Sequence, residues 1–183
     1  MEQLKLDQLQ RESAEVVKNK PKIPLILVLE NVRSLLNVGS IFRTADAFQI
    51  QKIYLCGITG TPPHRDIQKT ALGATETVSW EYSPNLSTLL QDLRSQGVEL
   101  VAVEQTNESV LLQDFVPNLA HTYALILGNE AEGISPEVLN YCHSAIEVPQ
   151  FGSKHSLNVA VCAGVVSWHF LSYYLAHGKL ATR

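Results

Sequence analysis

No GxGxxG follows any apolar run in this sequence, and the first strand-to-helix turn offers NVGSIFR instead, which argues against a dinucleotide-dependent oxidoreductase. GxxxxGK[ST] is also missing, so there is no phosphate-cradling loop of the nucleotide-hydrolase kind. Without GxSxG there is no nucleophile elbow. The cysteines are only Cys56, Cys142 and Cys162, odd in number, widely spaced and set among apolar residues. That excludes a disulfide framework and predicts buried, reduced thiols in a cytoplasmic protein. Six histidines show no zinc-type spacing with cysteines or carboxylates, so no metal is predicted.

Glycine and proline are scarce, with 10 and 8 residues in 183, and no repeat or low-complexity tract occurs. A compact globular chain follows, most simply one domain. No basic, then apolar, N-terminal segment suggests a secretory leader. Leu157 to Ala176 approaches membrane-spanning length, but Asn158, Ser167, His169 and Ser172 interrupt it. It reads as a buried or subunit-contacting helix, with no membrane partner. A net charge of −4 disfavours nucleic-acid binding through bulk charge. A local basic face stays open, since Arg33, Arg43, Arg65, Lys69 and Lys154 fall in or beside polar loops.

What is present alternates. Residues 1–24 read as an N-terminal helical extension ended by Pro21 and Pro24, and residues 25–183 as the main domain. Short apolar runs at Leu25–Leu29, Lys52–Cys56, Thr77–Tyr82, Val98–Val103, Tyr123–Leu127 and Ala145–Val148 predict six strands. Ile58 to Lys69 reads as a long polar loop, and Asn107 to Phe115 as a connection with some helical character. Ser135 is predicted to cap a short helix and Ser156 the long last one. The expected fold is α/β, a mainly parallel six-stranded sheet with helices on both faces.

Three polar islands follow apolar runs: NVRSLLNVGSIFRTADAF from Asn31, GNEAEG from Gly128 and KHSLN from Lys154. Their Asn, Arg, Glu and Ser side chains position ligands and stabilise charge, which suits transfer of an already activated group. Asn37 and Arg43, six residues apart, are expected to face one pocket. Taken singly, Asn37 could be a turn residue, Glu130 and Ser156 helix caps, and Asn158 a partner of loop backbone. His155, in a polar loop, is a candidate substrate contact.

In order and wording, NVRSLLNVGSIFRTADAF, ALILGNEAEGIS and IEVPQFGSKHSLNVAVCAG resemble the three motifs of the SpoU (TrmH) family of S-adenosylmethionine-dependent RNA ribose 2′-O-methyltransferases. KTALGA at Lys69 to Ala74 resembles a further family segment. The resemblance implies a SPOUT fold with a C-terminal trefoil knot, a homodimer, and S-adenosylmethionine as methyl donor without a metal. It assigns Asn37, Arg43, Glu130, Ser156 and Asn158 to the catalytic set. Leu127, Gly128, Gly133, Val148, Ser156 and Leu157 would line the donor pocket, and Arg33, Arg65, Lys69, Lys154 and His155 are the candidate RNA contacts.

The family proposal makes Arg43 a general base. A guanidinium holds its proton too firmly for that and fits better as a clamp on phosphate and developing alkoxide. Gln150, where many members are apolar, and Lys154-His155 before SLN are departures that bear on substrate contacts. The short segment before the first strand favours tRNA over rRNA as substrate. The alternatives are an RNA-binding module without catalysis, against which Asn37, Arg43 and Asn158 are all retained, and a methyltransferase acting on a non-RNA hydroxyl.

Overall fold

A computed structural model describes residues 3, 5 and 12–180. Residues 1, 2, 4 and 6–11 of the predicted N-terminal helical extension lie outside the described residues; within them, helix α1 covers Ala14–Asn19, capped by Ser13. Strand β1 (Ile23–Glu30) follows, then α2 (Leu35–Ala47), β2 (Ile50–Cys56), α3 (Arg65–Ala71), α4 (Ala74–Thr77) and β3 (Trp80–Ser83). Next come α5 (Leu86–Ser95), β4 (Glu99–Val103), β5 (Val110–Leu111) and a 3-10 turn at Leu112–Asp114. The chain ends with β6 (Tyr123–Leu127), α6 (Pro136–Leu139), β7 (Ser144–Glu147) and α7 (Val159–Ala176).

The sheet has seven strands, not six, in the order β3-β2-β1-β6-β4-β7-β5, and every pairing is parallel. The added strand, Val110–Leu111, pairs with Ile146 and Glu147 at one edge. Two residues are too few to show a period, so the sequence reads there as a connection. The long loop is also shorter than expected. Arg65–Ala71 is helical because His64 Nδ1 accepts from Asp66 N at 3.1 Å, which caps the first turn.

A parallel sheet is covered on both faces at its centre, and the central strands β1, β6 and β4 are correspondingly apolar and buried, while the edge strand β3 is half-exposed. Alternate residues of β1 divide between two cores. Leu25, Leu27 and Leu29 pack with α2, α3, α4 and α7 through Phe42, Ile67, Ala74 and Phe170. Ile26 and Val28 point the other way, toward Leu90 and Leu93 of α5 and Val138 of α6. Helix α7 shows why its sequence is apolar all round. Val159, Ala163, Val166, Phe170 and Tyr174 form its buried stripe, while Val161, Val165 and Trp168 form a second stripe facing outward.

Phe42 is fully buried and its ring meets Trp80 edge-on, with centroids 6.3 Å apart. It therefore joins α2 to the edge of the sheet. Phe42→Ala is expected to cost about 3–5 kcal/mol, read as a fall in the urea midpoint at unchanged denaturant slope.

Candidate active site

The carboxyl ends of β1, β4, β6 and β7 lie on one side of the sheet, where open α/β sheets bind ligands. Two turns there are locked first. Asn31 leaves β1 with φ of 54°, and its Oδ1 accepts from Ile58 N at 3.1 Å. Thr59 Oγ1 accepts from Val32 N and donates to Leu29 O, both at 3.0 Å. The loops after β1 and β2 are thus one unit. Ser34 then caps α2, accepting from Asn37 N at 3.3 Å.

After β6, residues 128–133 form a loop that closes on itself. Asn129 and Gly133 exchange backbone hydrogen bonds at 3.0 and 2.9 Å, and Asn129 Oδ1 accepts from Ala131 N and Glu132 N. Asn129 Nδ2 donates to Asn31 O at 2.9 Å, tying this loop to the end of β1. Glu104, just beyond β4, accepts from Ile134 N at 3.0 Å on the other flank. Only glycine fits at 128, because a Cβ there would stand 2.3 Å from the Gly133 carbonyl carbon. Gly133 itself turns with φ of +70°.

The loop holds Glu130 toward the start of α2. Glu130 Oε2 accepts from Arg33 N at 2.9 Å, and Oε1 accepts from Ser34 N at 3.0 Å and Asn37 Nδ2 at 3.1 Å. Asn37 Oδ1 then accepts from Asn158 Nδ2 at 3.1 Å. Asn158 Oδ1 caps α7, accepting from Ala160 N and Val161 N at 2.9 and 3.3 Å. This chain of bonds has one polarity. The helix amides demand an acceptor, so the Asn158 NH₂ must face Asn37, whose own NH₂ must then face the carboxylate.

Burial alone would raise the Glu130 carboxyl, but the amides of Arg33, Ser34 and Glu130 itself, together with Asn37, outweigh it and leave the pKa below the ordinary value. The α2 dipole favours the same charged form. Glu130 is therefore an ionised anchor with its oxygens engaged.

Beside this network lies a cavity of about 660 Å³. Its wall includes the predicted donor residues Leu127, Gly128, Gly133, Val148, Ser156 and Leu157, together with Glu130, Asn158 and His155. Asn37 stands just outside the wall and bridges two of its members. Ser156 does not cap the last helix as expected. Asn158 does, which leaves the Ser156 hydroxyl on the cavity wall.

Arg43 lies elsewhere. It lines a separate groove of about 470 Å³ with Ser40, Thr44, Phe48 and Lys69. Asn37 is already in the first turn of α2, and six residues of helix make about one and two-thirds turns, so the two side chains leave on different sides. Arg33 reaches the network through its backbone amide, while the side chains of Arg65 and Lys154 are exposed outside both walls.

Sequence reasoning missed Glu104, Gln105 and Glu147 on the cavity wall. Glu104 and Gln105 follow directly on an apolar strand, the signal that found the other islands. Cys162 also borders the cavity, but it and Cys142 are half-buried where full burial was expected. Burial pushes the Cys162 thiol up to about 11, so it stays protonated at neutral pH. Among the described residues no three His, Cys, Asp or Glu side chains converge on a metal-sized site.

A carboxyl with a lower pKa folded than unfolded contributes stability above its unfolded value and loses it as pH falls through the folded one. Glu130→Gln, which removes an acceptor and turns an amide NH₂ on the same donors, should lower Tm by about 2–4 °C at neutral pH, the shift that about 1 kcal/mol produces at this size. In melts taken at successively lower pH, the gap from wild type should close.

The SpoU rRNA Methylase family matches residues 24–168. The 23S rRNA (guanosine-2′-O-)-methyltransferase RlmB of Neisseria meningitidis is 30% identical over 83% of this chain, which spans only 60% of that relative's length. The crystal structure of the Aquifex aeolicus TrmH/SpoU tRNA modifying enzyme superposes with a TM-score of 0.80 at 26% identity, over 90% of this chain and 82% of that one. The fold is shared as well by the SpoU methyltransferase AviRb of Streptomyces viridochromogenes, solved with the cofactor AdoMet. There the TM-score is 0.77 and the identity 20%, over 86% of this chain and 63% of that one. The segments that build the network, from the turn after β1 to the cap of α7, fall inside the matched region, and the chain belongs to the SpoU rRNA methylase family.

Proposed function

We propose that this chain is an RNA methyltransferase that moves a methyl group from S-adenosylmethionine to a ribose 2′-hydroxyl. The observation that carries the reading is the cavity at the strand ends, bordered by the Glu130–Asn37–Asn158 chain. Its volume is in the range of small-molecule sites, which run to about 300–1,000 Å³. Leu127, Ile134, Ile146, Val148 and Leu157 supply apolar wall, and Glu104 and Glu147 supply negative charge for a ligand bearing sulfonium and ammonium groups. When bound, the donor supplies a methyl group on a positively charged sulfur, whose transfer to the 2′-oxygen leaves a neutral thioether and releases the hydroxyl proton.

The chain's own residues position and compensate. Backbone groups at Leu127, Gly128, Val148 and Leu157 hold the donor, Ser156 offers a hydroxyl, and the Gly133 turn sets the wall. Glu130, ionised and saturated, orients Asn37 and Asn158 and takes no proton. Arg43 clamps an RNA phosphate and stabilises the developing oxyanion, with Lys69 beside it in the same groove. The proton leaves to phosphate or water.

Because Arg43 and the cavity are separate within one chain, we place them together across a homodimer. Support comes from an exposed apolar stripe made of Val161, Val165 and Trp168 on α7, at 55%, 39% and 53% exposure, with Leu36 on α2 also exposed. By length and composition α7 could also cross a membrane, at mean hydropathy 1.5. Its inner stripe is spent on the sheet, so we read the outer one as a subunit contact in a cytoplasmic enzyme. Likeness to the SPOUT methyltransferases supports a trefoil-knotted path through residues 128–158. The acceptor we favour is tRNA, supported by the superposition on the A. aeolicus enzyme; rRNA is the second reading, carried by the RlmB relative.

Labelled S-adenosylmethionine should give a 2′-O-methyl nucleotide with unmodified tRNA, and Arg43→Ala should cut the rate about 10²–10³-fold, as loss of an oxyanion-stabilising group does. No label in tRNA or in rRNA, despite donor binding, would refute the reading. Sedimentation should give a dimer. Mixing Arg43→Ala with Asn158→Ala subunits should recover activity, because one of the two composite sites keeps both residues; inactive mixtures would put Arg43 in its own subunit's site.

A further inference from the structure

Phe151 is 97% exposed, the most exposed large hydrophobic side chain of the described residues, where the next, Val116, stands at 69%. Phenylalanine ordinarily buries its ring, so a ring left wholly in water marks a surface shaped for something other than the fold. Its position is specific. Gln150 and His155, on either side of residues 151–154, both line the cavity, so the intervening segment arches from the cavity's rim. Residues 151–157 are all exposed, none of the hydrogen bonds described ties them to the rest of the chain, and a Cβ on Gly152 would meet open space. The loop therefore does not need the ring to hold its shape. Lys154 and His155 on the same arch put positive or titratable charge beside it.

We propose that Phe151 is a stacking platform for a nucleobase of the acceptor RNA, next to the nucleotide whose ribose enters the cavity. This rests on the methyltransferase reading above. A single exposed ring with a cation three residues away matches how unpaired bases are taken, by stacking on an aromatic face while the backbone meets positive charge. It does not match a subunit contact, which would use a contiguous apolar patch such as the Val161, Val165 and Trp168 stripe. Stacking tolerates any base, so Phe151 sets affinity and register, and leaves base identity to other groups.

The test measures the affinity of Phe151→Ala, Phe151→Leu and Phe151→Tyr for labelled unmodified tRNA and for rRNA fragments, with donor affinity, kcat and sedimentation followed in parallel. Phe151→Ala should weaken RNA binding and raise the RNA KM about 10–100-fold, with donor affinity and the dimer unchanged. Phe151→Tyr should restore binding; Phe151→Leu, similar in bulk but without a π face, should not. Equal rescue by Leu, an unchanged RNA affinity in Phe151→Ala, or a shift to monomer would each overturn the proposal. Wild-type RNA binding without methyl transfer would remove the methyltransferase reading and leave stacking standing. Methyl transfer with Phe151→Ala affinity intact would do the reverse.

Discussion

A single carboxylate, Glu130, joins parts of the chain that have no local reason to meet. It accepts from the backbone of Arg33 and Ser34 and from the Asn37 side chain, 93 residues away, and Asn37 passes the connection to Asn158, a further 121 residues along. Each bond fixes the direction of the next, because an amide side chain has one donor end and one acceptor end. Remove the charge, and the start of α2 loses its tie to the loop after β6, while Asn37, which carries the bond to the α7 cap, loses its own anchor. Charge-assisted bonds of this kind are roughly twice as strong as neutral ones, which suits a junction between three loops.

The sheet makes that junction reachable. With β6 between β1 and β4, the loops after these strands come side by side, and parallel pairing puts all their carboxyl ends on one side. The apolar registers Leu27–Leu125 and Leu29–Leu127 hold the two strands whose loops carry Asn31 and Asn129, and the hydrogen bond donated by the Asn129 side-chain NH₂ to the Asn31 carbonyl continues the alignment past the sheet's end. Packing thus sets the geometry of the polar groups. The same arrangement gives α2 two roles, with Asn37 directed to the Glu130 network and Arg43 to a separate groove with Lys69.

Much of this was legible locally. Every strand of four residues or more was foreseen, most plainly the central β1, β4 and β6, where burial on both faces of a parallel sheet demands an apolar run. Polar islands after such runs announced Asn37, Glu130 and Asn158, and Glu104 was available by the same logic. The two-residue strand at Val110 was not legible, since it owes its place to the neighbouring edge of β7 rather than to any pattern of its own. Helix α3 was hidden by its composition, polar enough to resemble a loop until the His64 cap is seen.

The sequence by itself determined the layers, the parallel sheet and the polar islands at the strand ends, because strand burial and turn composition are local properties of the chain. Only the tertiary structure decided that Glu130 is an engaged anchor, that Asn158 rather than Ser156 caps α7, and that Arg43 stands outside the cavity. Those outcomes depend on strand order and on the angle at which a side chain leaves its helix, and hydrogen bonds spanning about half the chain leave no trace in the spacing of residues along it.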